Sequence, residues 1–401
     1  MLEIMHKQLE RNIRLYGLLK IFTKRVFLPL TTVYFVEVGG LRLQDIGLLA
    51  SISALVSLVA EIPTGYFADR ITRRASLLAA ALLAGAATLF FAFFPSLPGA
   101  IVGSILEALG YAFLSGASEA LMHDTLVHLK RIDDYPKIVG RAQSFGLIGN
   151  TVLVALVPLT YHFNKQMPFF LGTVAYCVLG LIAYKLFEPP RQTAKQVNYN
   201  PLKDLLRNLR LFVTRHTLLI FLSIGLLSGL YNSVSDLGTL VLKDLGLNPG
   251  YFGFVFAGAS VVGIIGGFFI HHFRAVSLRA YTLFDTLIFT TYITLIGITR
   301  SLWFTIIGFA FYMGFWRLRN ILYQHHLLKL FANNEYKATL VSTLSFFSRG
   351  NEVWLPPLFA SVAASLGYYR SFSLIGLASF AALVPMFLFA TRKVRGLTSN
   401  Q

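Results

Sequence analysis

The chain has 401 residues, of which 55% are hydrophobic and only 13% are charged, and its formal net charge is +17. Because roughly a quarter of the residues in a soluble globular protein are charged, this composition excludes a soluble protein and indicates an integral membrane protein. The positive charge alone is compatible with binding to nucleic acid or to a membrane surface, and the positions of the basic residues distinguish these two partners.

Apolar runs of about 20 residues predict twelve transmembrane helices. The first, tenth and eleventh of these runs carry internal charges, and the others are more uniformly apolar. In chain order, the predicted spans are 14–37, 44–65, 75–95, 98–120, 139–161, 168–188, 216–241, 250–271, 280–298, 301–325, 338–362 and 368–390.

The basic residues predict the orientation of these spans. Twelve spans put both termini on one side of the membrane, and most Lys and Arg residues outside the spans fall in segments on that side. Because cytoplasmic loops are enriched in Lys and Arg, we expect a multi-pass protein of the cell membrane with both termini in the cytoplasm. No aromatic-interleaved basic stripe supports a nucleic-acid partner. The basic residues of the opposite loops are only Arg42, Lys165, Lys243, Arg300 and Arg370.

The longest hydrophilic interruption, 189–215, separates the sixth span from the seventh. It predicts a cytoplasmic central loop between an N-terminal six-helix bundle, 1–188, and a C-terminal six-helix bundle, 216–401. A weak internal repeat agrees with two halves, since the second span ends in PTGYFADRITRR and the eighth in IGGFFIHHFRAVSLR. Internal repeats with substrate bound near the membrane midplane are common in secondary transporters.

A charged segment, EIPTGYFADRITRRASLL at 61–78, interrupts the apolar runs. It fits the loop signature G-x-x-x-D-(R/K)-x-G-x-R-(R/K) of the major facilitator superfamily, except that Thr72 replaces a glycine and Ala75 a second basic residue. The residues that match the signature are Gly65, Asp69, Arg70 and Arg74.

The whole chain resembles this superfamily through the signature, the number of spans and the central loop. EIPTG and the later SGASEALMHDTL, at 115–126, resemble one bacterial branch of it. The resemblance implies an all-α integral membrane fold with twelve transmembrane helices in two six-helix bundles. It also implies a secondary transporter that works by alternating access and needs no cofactor.

The resemblance implies that Gly65, Asp69, Arg70 and Arg74 form a conformational latch. Gly65 would permit a bend or a close approach where its helix leaves the bilayer. Asp69, next to Arg70, can form charge-assisted hydrogen bonds at the inner surface. The alternative is that these residues only anchor the loop by positive charge. In both cases they are not a substrate site.

In the resembled family the first, fourth, seventh and tenth helices line a central cavity, whereas the third, sixth, ninth and twelfth face lipid. The ionisable residues follow this pattern, since charges in the middle of lipid-facing helices are costly. Three cations near the midplane, by helical rise, predict a cavity for an anionic or zwitterionic substrate. The candidate substrate-binding residues are Lys24, Arg25, Asn232, Trp316, Arg317 and Arg349.

Glu107 and Glu352 are the candidates for proton coupling, because a carboxyl in a low-dielectric site can titrate as access alternates. Glu352 follows Arg349 at i,i+3 spacing, so these two side chains can pair. The alternative is that the buried charges neutralise one another and only hold helices together. Asp285 and Arg319 lie near span ends, and Arg319 is expected to snorkel or anchor there.

We expect the protein to export a small amphipathic or anionic compound across the lipid bilayer in which it lies. The proton is the candidate coupling ion. The alternatives are uptake of a polar or anionic nutrient and a non-transporting receptor or scaffold. The fifth span, GLIGNTVLVALVPL, lacks the glycine-rich run of many drug:proton antiporters, so antiport is not implied. No nucleotide-binding loop or catalytic motif predicts an enzyme. The adjacent histidine pairs lack a carboxylate-rich partner motif, so no metal site is expected.

Overall fold

The computed structural model describes residues 2–190, 215–274, 276–330 and 337–391. A few residues inside helices, Asp69 and Arg317 among them, are described without their side chains. The central loop predicted at 189–215 lies almost entirely outside the described residues.

The described residues form fourteen α-helices and short 3-10 turns. The turns that matter below are Leu28–Leu30 and Val157–His162. The helices are α1 (Leu2–Ile21), α2 (Thr31–Glu37), α3 (Leu43–Arg70), α4 (Arg73–Phe93), α5 (Leu97–Leu114), α6 (Ala117–His128), α7 (Tyr135–Leu156), α8 (Met167–Lys185), α9 (Arg215–Asp244), α10 (Phe252–Arg274), α11 (Leu278–Thr299), α12 (Leu302–Leu330), α13 (Lys337–Leu366) and α14 (Tyr368–Thr391).

Nine helical segments of the described chain are long and apolar enough, by length and composition, to cross a bilayer. They coincide with the second to ninth predicted spans and with the twelfth. The first, tenth and eleventh predicted spans coincide with α1–α2, α12 and α13. These three spans are the ones with internal charges, which lower their hydropathy.

The first predicted span, 14–37, is not the continuous helix that its apolar run suggests. α1 ends at Ile21, residues 22–27 are non-helical, and a 3-10 turn leads into α2. Pro29 accounts for part of the break, because it lacks the N–H that a continuous α-helix would bond to the carbonyl of Arg25. Lys24 and Arg25 therefore lie on irregular backbone rather than on a helix face.

Two further predicted spans differ in their limits. The span 98–120 consists of α5 and α6, which meet at Gly116, where φ of +75° is readily adopted only by glycine. α3 instead continues to Arg70, beyond the predicted end at 65. Gly65 therefore lies inside a helix, and the connection from α3 to α4 is short.

The chain divides into two compact units, and the bundle limits predicted at 188 and 216 stay a prediction. Unit 1 comprises Met1–Leu41, Leu55–Asn198 and Pro249–Phe254. Unit 2 comprises Arg42–Ala54, Tyr199–Asn248 and Val255–Gln401.

Unit 1 packs around aromatic rings and closely approaching helices. A β-carbon on Gly110 of α5 would lie 3.0 Å from the backbone nitrogen of Ala84 in α4, so a small residue is needed there. The Phe169 ring of α8 lies 5.3 Å from the Phe27 ring and 4.3 Å from the Tyr34 ring. These contacts fix the chain directly after the break in the first span.

Unit 2 has its own core, formed by α9, α11, α12, α13 and α14. A β-carbon on Gly225 of α9 would lie 2.7 Å from the carbonyl oxygen of Phe347 in α13, so these two helices are in close contact. The Tyr281 and Tyr323 rings, 5.1 Å apart, join α11 to α12. Both tyrosines are almost completely buried.

Candidate functional site

The break between α1 and α2 positions a charge pair in unit 1. The guanidinium Nη1 of Arg25 lies 3.4 Å from Oε2 of Glu107 on α5. The Arg25 side chain is 38% exposed, whereas that of Glu107 is 8% exposed. Arg25 thus combines a buried counter-ion with an accessible cation, which is the arrangement needed to meet an anionic group.

Aromatic side chains surround this pair. The Arg25 guanidinium lies 4.9 Å from the centre of the Tyr111 ring, a cation–π distance. The hydroxyls of Tyr111 and Tyr176 lie 3.1 Å apart. The second carboxylate oxygen of Glu107, Oε1, is buried and has no hydrogen-bond partner among the described residues. Glu107 therefore has one atom still able to bond a ligand, a water or a proton.

The other residues near the break have different surroundings. Lys24 is exposed, whereas Arg25 is only partly exposed. Lys20, at the end of α1, pairs with Glu119 and donates to the Ser118 hydroxyl at 3.0 Å. The amide of Asn150 on α7 donates to the carbonyl of Ile21 at 3.5 Å, where α1 stops. The side chain of Asn150 thus satisfies a backbone carbonyl that the break leaves without its helical partner, as is needed where no water is available inside a membrane.

In unit 2 the structure brings together three of the sequence-predicted residues. Glu352 on α13 interacts with Asn232 on α9 through a side-chain hydrogen bond and with the charge of Arg349. Asp236, one turn along α9 from Asn232, adds a second carboxylate near Glu352. The i,i+3 spacing predicted that Glu352 and Arg349 are neighbours, but spacing along one helix cannot indicate Asn232, which lies on another helix.

Arg319 is buried inside the protein against Asp285, which contradicts the expectation that Arg319 snorkels or anchors. Each residue is only 4% exposed, and Nε of Arg319 lies 2.6 Å from Oδ2 of Asp285. The Tyr323 hydroxyl donates to the same oxygen at 2.7 Å. Depth measured along one helix cannot reveal a partner on another helix, so this pair could not be predicted from spacing.

Trp316 belongs to an aromatic group on one side of Arg319. Its ring stacks on Tyr231 with centroids 3.8 Å apart and an interplanar angle of 6°. The Arg319 guanidinium lies 4.7 Å from the centre of the Trp316 ring. The predicted role of Trp316 in substrate contact stays a prediction, and the Arg317 side chain lies outside the described residues.

The predicted latch residues have partners within unit 1. The guanidinium groups of Arg70 and Arg74 lie over the rings of Tyr66 and Tyr184, at 5.2 Å and 4.9 Å. No described heavy atom lies within 4 Å of a β-carbon placed on Gly65, so the expected close approach is absent there. The Asp69 side chain lies outside the described residues.

Glu188, which the sequence did not indicate as a site residue, lies beside the predicted latch residues. Both oxygens of Glu188 accept backbone hydrogen bonds at the start of α4, from Arg73 at 2.9 Å and from Arg74 at 2.8 Å. The Arg73 guanidinium pairs with Asp124 of α6 at 3.2 Å. The only local signal for Glu188 is its position before Pro189, where a helix is expected to end.

Asn12 of α1 holds the chain next to Glu188. Its amide donates to the carbonyl of Phe187 at 2.8 Å, and the amide N–H of Phe187 donates back to Asn12 at 2.9 Å. Asn12 is completely buried. α1, α4, α6 and the end of α8 are therefore joined by polar contacts at one end of unit 1.

Nine helical segments of the described chain are long and apolar enough to cross a bilayer, which defines an integral membrane protein that crosses it many times. Residues 15–349 match the family model described as Major Facilitator Superfamily. The chain belongs to this family of membrane transporters, as the loop signature predicted.

One curated relative is YxaM of Bacillus subtilis (strain 168), described as an uncharacterized MFS-type transporter. It is 22% identical over 373 residues, which are 91% of each chain. The solved structure of the nucleoside transporter NupG aligns with a TM-score of 0.82 at 12% identity, over 96% of this chain and 99% of NupG.

A bacterial homologue of the human lysosomal transporter Spinster, in an inward-facing and unoccupied conformation, aligns with a TM-score of 0.68 at 14% identity. This alignment covers 98% of this chain and 97% of that one. At such identities these structures show the fold alone. The predicted fold, twelve transmembrane helices in two six-helix bundles, is confirmed.

Proposed function

We propose that the protein is a secondary transporter that exports small amphipathic or anionic compounds across the cell membrane by alternating access. The observation that supports an anionic group in the substrate is the Arg25–Glu107 pair, in which a partly exposed guanidinium sits on broken backbone inside an apolar bundle. Non-helical backbone at membrane depth is found where it is buried in protein or lines a water-filled cavity, and transporters use such breaks at binding sites.

The cluster of Asn232, Arg349 and Glu352 supports the same proposal from unit 2. It places a cation, a carboxyl and an amide on α9 and α13 among apolar side chains. A few polar groups in apolar surroundings are typical of small-molecule sites, because the apolar walls bury the ligand and the polar groups orient it.

Transport by the purified protein in lipid vesicles tests this proposal. We expect counterflow of labelled organic anions by the wild type, and a loss of at least about tenfold in Arg25→Ala and Arg349→Ala, because each change removes one positive charge from a proposed substrate contact. Lys165→Ala and Arg370→Ala are matched controls, since both remove exposed cations from the loops predicted to face outward.

Unchanged anion transport in both Arg25→Ala and Arg349→Ala, with normal insertion, would show that the proposed cationic site is wrong. Accumulation in the direction of uptake would favour the alternative of nutrient import. A wild-type protein that exchanges no member of a broad panel of charged and amphipathic compounds would favour a non-transporting receptor or scaffold.

A further inference from the structure

A large cavity lies within unit 2, apart from the charge clusters described so far as substrate contacts. Its volume is about 870 Å³, and its walls come from α10, α11 and α12 with Tyr231 of α9. Cavities of roughly 300–1,000 Å³ are the usual size of small-molecule sites. This volume is therefore enough for a complete organic ligand.

Two contacts between α11 and α12 limit the cavity. Near the turn that joins these helices, the Tyr292 hydroxyl donates to the carbonyl of Thr305 at 3.2 Å. Towards the other end, Arg319 pairs with Asp285. The helices are held together at both places, and the residues that line the cavity lie between and around them.

The equivalent helices of unit 1 pack directly on each other. The third and fourth predicted spans are α4 and α5, and the Phe91 ring of α4 lies against Gly103 of α5, in addition to the approach at Gly110. The third and fourth spans of unit 2 are α11 and α12. Their separation is therefore specific to unit 2 and not a general consequence of the fold.

The mouth of the cavity is rimmed by exposed apolar side chains. In a membrane-spanning helix such side chains face hydrocarbon, so the cavity opens to the lipid phase rather than to water. A ligand that reaches it must be dissolved in the bilayer. The exposed lining residues are Ile265, Phe269, Phe284, Leu287, Ile288 and Phe311, each between 45% and 64% exposed.

The lining is mostly apolar, and its few polar groups carry no net charge. Asp285 and Arg319 both belong to it, and their opposite charges compensate each other at 2.6 Å. The hydroxyl of Tyr312 also belongs to a lining residue, is buried, and has no hydrogen-bond partner among the described residues. A buried hydroxyl without a partner is costly, so a ligand that bonds it gains affinity.

We propose that this cavity binds an uncharged, single-chain amphipath from the bilayer, with its chain among the exposed apolar residues and its polar head at Tyr312. A hydrocarbon chain alone would leave the Tyr312 hydroxyl unpaired. A head with net charge would have no counter-charge, because Asp285 and Arg319 already neutralise each other. This binding does not require the protein to transport the ligand.

Photolabelling of the full-length protein in lipid nanodiscs tests the inference. The probe is a monoacylglycerol with a diazirine in its chain. We expect saturable labelling of α10, α11 and α12, and competition by unlabelled monooleoylglycerol at concentrations at least about tenfold lower than those needed for oleate or an oleyl trimethylammonium salt. Labelling that does not saturate, or stronger competition by oleate, would overturn the proposal.

Two pairs of variants separate the cavity from the general lipid surface. Ile288→Trp fills the mouth and should reduce specific labelling at least about tenfold, whereas Ile298→Trp changes an exposed isoleucine of α11 outside the lining and should not. Tyr312→Phe should weaken monoacylglycerol binding about fivefold, as expected for the loss of one hydrogen bond. Tyr281→Phe removes another buried hydroxyl that has no hydrogen-bond partner in the described part of the chain; it lies outside the lining, so this change should have no effect.

Equal labelling of Ile288→Trp and Ile298→Trp, with both variants melting like the wild type, would overturn the inference. Transport by the wild type without any saturable labelling would reject this site and leave the proposed function intact. Saturable labelling without transport would support the site and contradict the proposed function.

Discussion

At the scale of residues, the Arg25–Glu107 pair links the protonation of Glu107 to the access of water or an anion to Arg25. If Glu107 takes up a proton, Arg25 loses its counter-ion in a low-dielectric site, which is unfavourable unless water or an anion can reach the guanidinium. The 38% exposure of Arg25 gives such access on one side. Protonation of Glu107 and binding of an anion to Arg25 should therefore favour each other, as two coupled binding events.

A Glu107→Gln variant tests this coupling. Glutamine keeps the shape of the side chain but cannot exchange a proton, so we expect the variant to lose accumulation driven by a pH gradient and to retain substrate exchange. Glu10→Gln is the control, because Glu10 also pairs with an arginine, Arg131, at 3.0 Å, but at an exposed position. Normal pH-driven accumulation by Glu107→Gln would show that this carboxyl is not the coupling group.

Hydropathy and helical rise located the ionisable side chains within the predicted spans but did not predict which of them meet. Arg25 and Glu107 were assigned to different candidate roles, substrate binding and proton coupling, and the structure places them in one pair. Asp285 and Arg319 were assigned to span ends and are in fact buried together. Partners on different helices depend on tertiary packing, which a single sequence does not encode in its spacing.

At the scale of helices, the start of α4 shows how an ion-pair network can also stabilise secondary structure. The first N–H groups of a helix have no partner inside it. Here Glu188 accepts those of Arg73 and Arg74, and the Thr72 hydroxyl accepts that of Ala75 at 2.9 Å. The carboxylate also lies at the positive end of the helix dipole, which adds to its stabilising effect.

Glu188→Ala should therefore destabilise the protein by about 1–2 kcal/mol, the range of strong helix-capping interactions. Thermal unfolding in detergent should show a melting temperature lower by a few degrees, because stability differences of this size shift the melting temperature by that amount. Glu3→Ala removes an exposed carboxylate paired with Lys7 and is the control. An unchanged melting temperature for Glu188→Ala would exclude a capping role.

Helix breaks were harder to predict than helix positions. The apolar run at 14–37 looks continuous, and only Pro29 signals that its helix is interrupted. The signal at Gly116 is similarly weak, because glycine is common inside membrane helices and its φ of +75° is not visible in the sequence. Composition determines where a helix can lie in the membrane, whereas local backbone geometry depends on neighbours such as Phe169 and Asn150.

At the scale of the whole molecule, the number of spans followed from hydropathy, and their assignment to a family followed from the loop signature. The model of the Major Facilitator Superfamily covers residues 15–349, and known structures of the fold align over nearly the full length. The orientation in the membrane rests on the distribution of Lys and Arg alone and is still a prediction.

Cysteine labelling of intact cells checks this orientation. Cys177 is the single cysteine, so Cys177→Ser provides a cysteine-free background. In that background Phe163→Cys, at a 91% exposed position in a loop predicted to face outward, should react with a membrane-impermeant thiol reagent. Lys7→Cys, on the predicted cytoplasmic side, should react only after the cells are opened. The reverse pattern would invert the assigned topology.

The connection between α3 and α4 consists of two residues, Ile71 and Thr72. A linker this short has little slack, so a tilt of α3 must be transmitted to the start of α4. Glu188 accepts a hydrogen bond from the first residue of α4, and its neighbour Phe187 is hydrogen-bonded to Asn12 of α1. A displacement of α4 would therefore also displace the end of α8 and α1. At this end of unit 1, a small rotation of α3 would then rotate α4, α8 and α1 together with it.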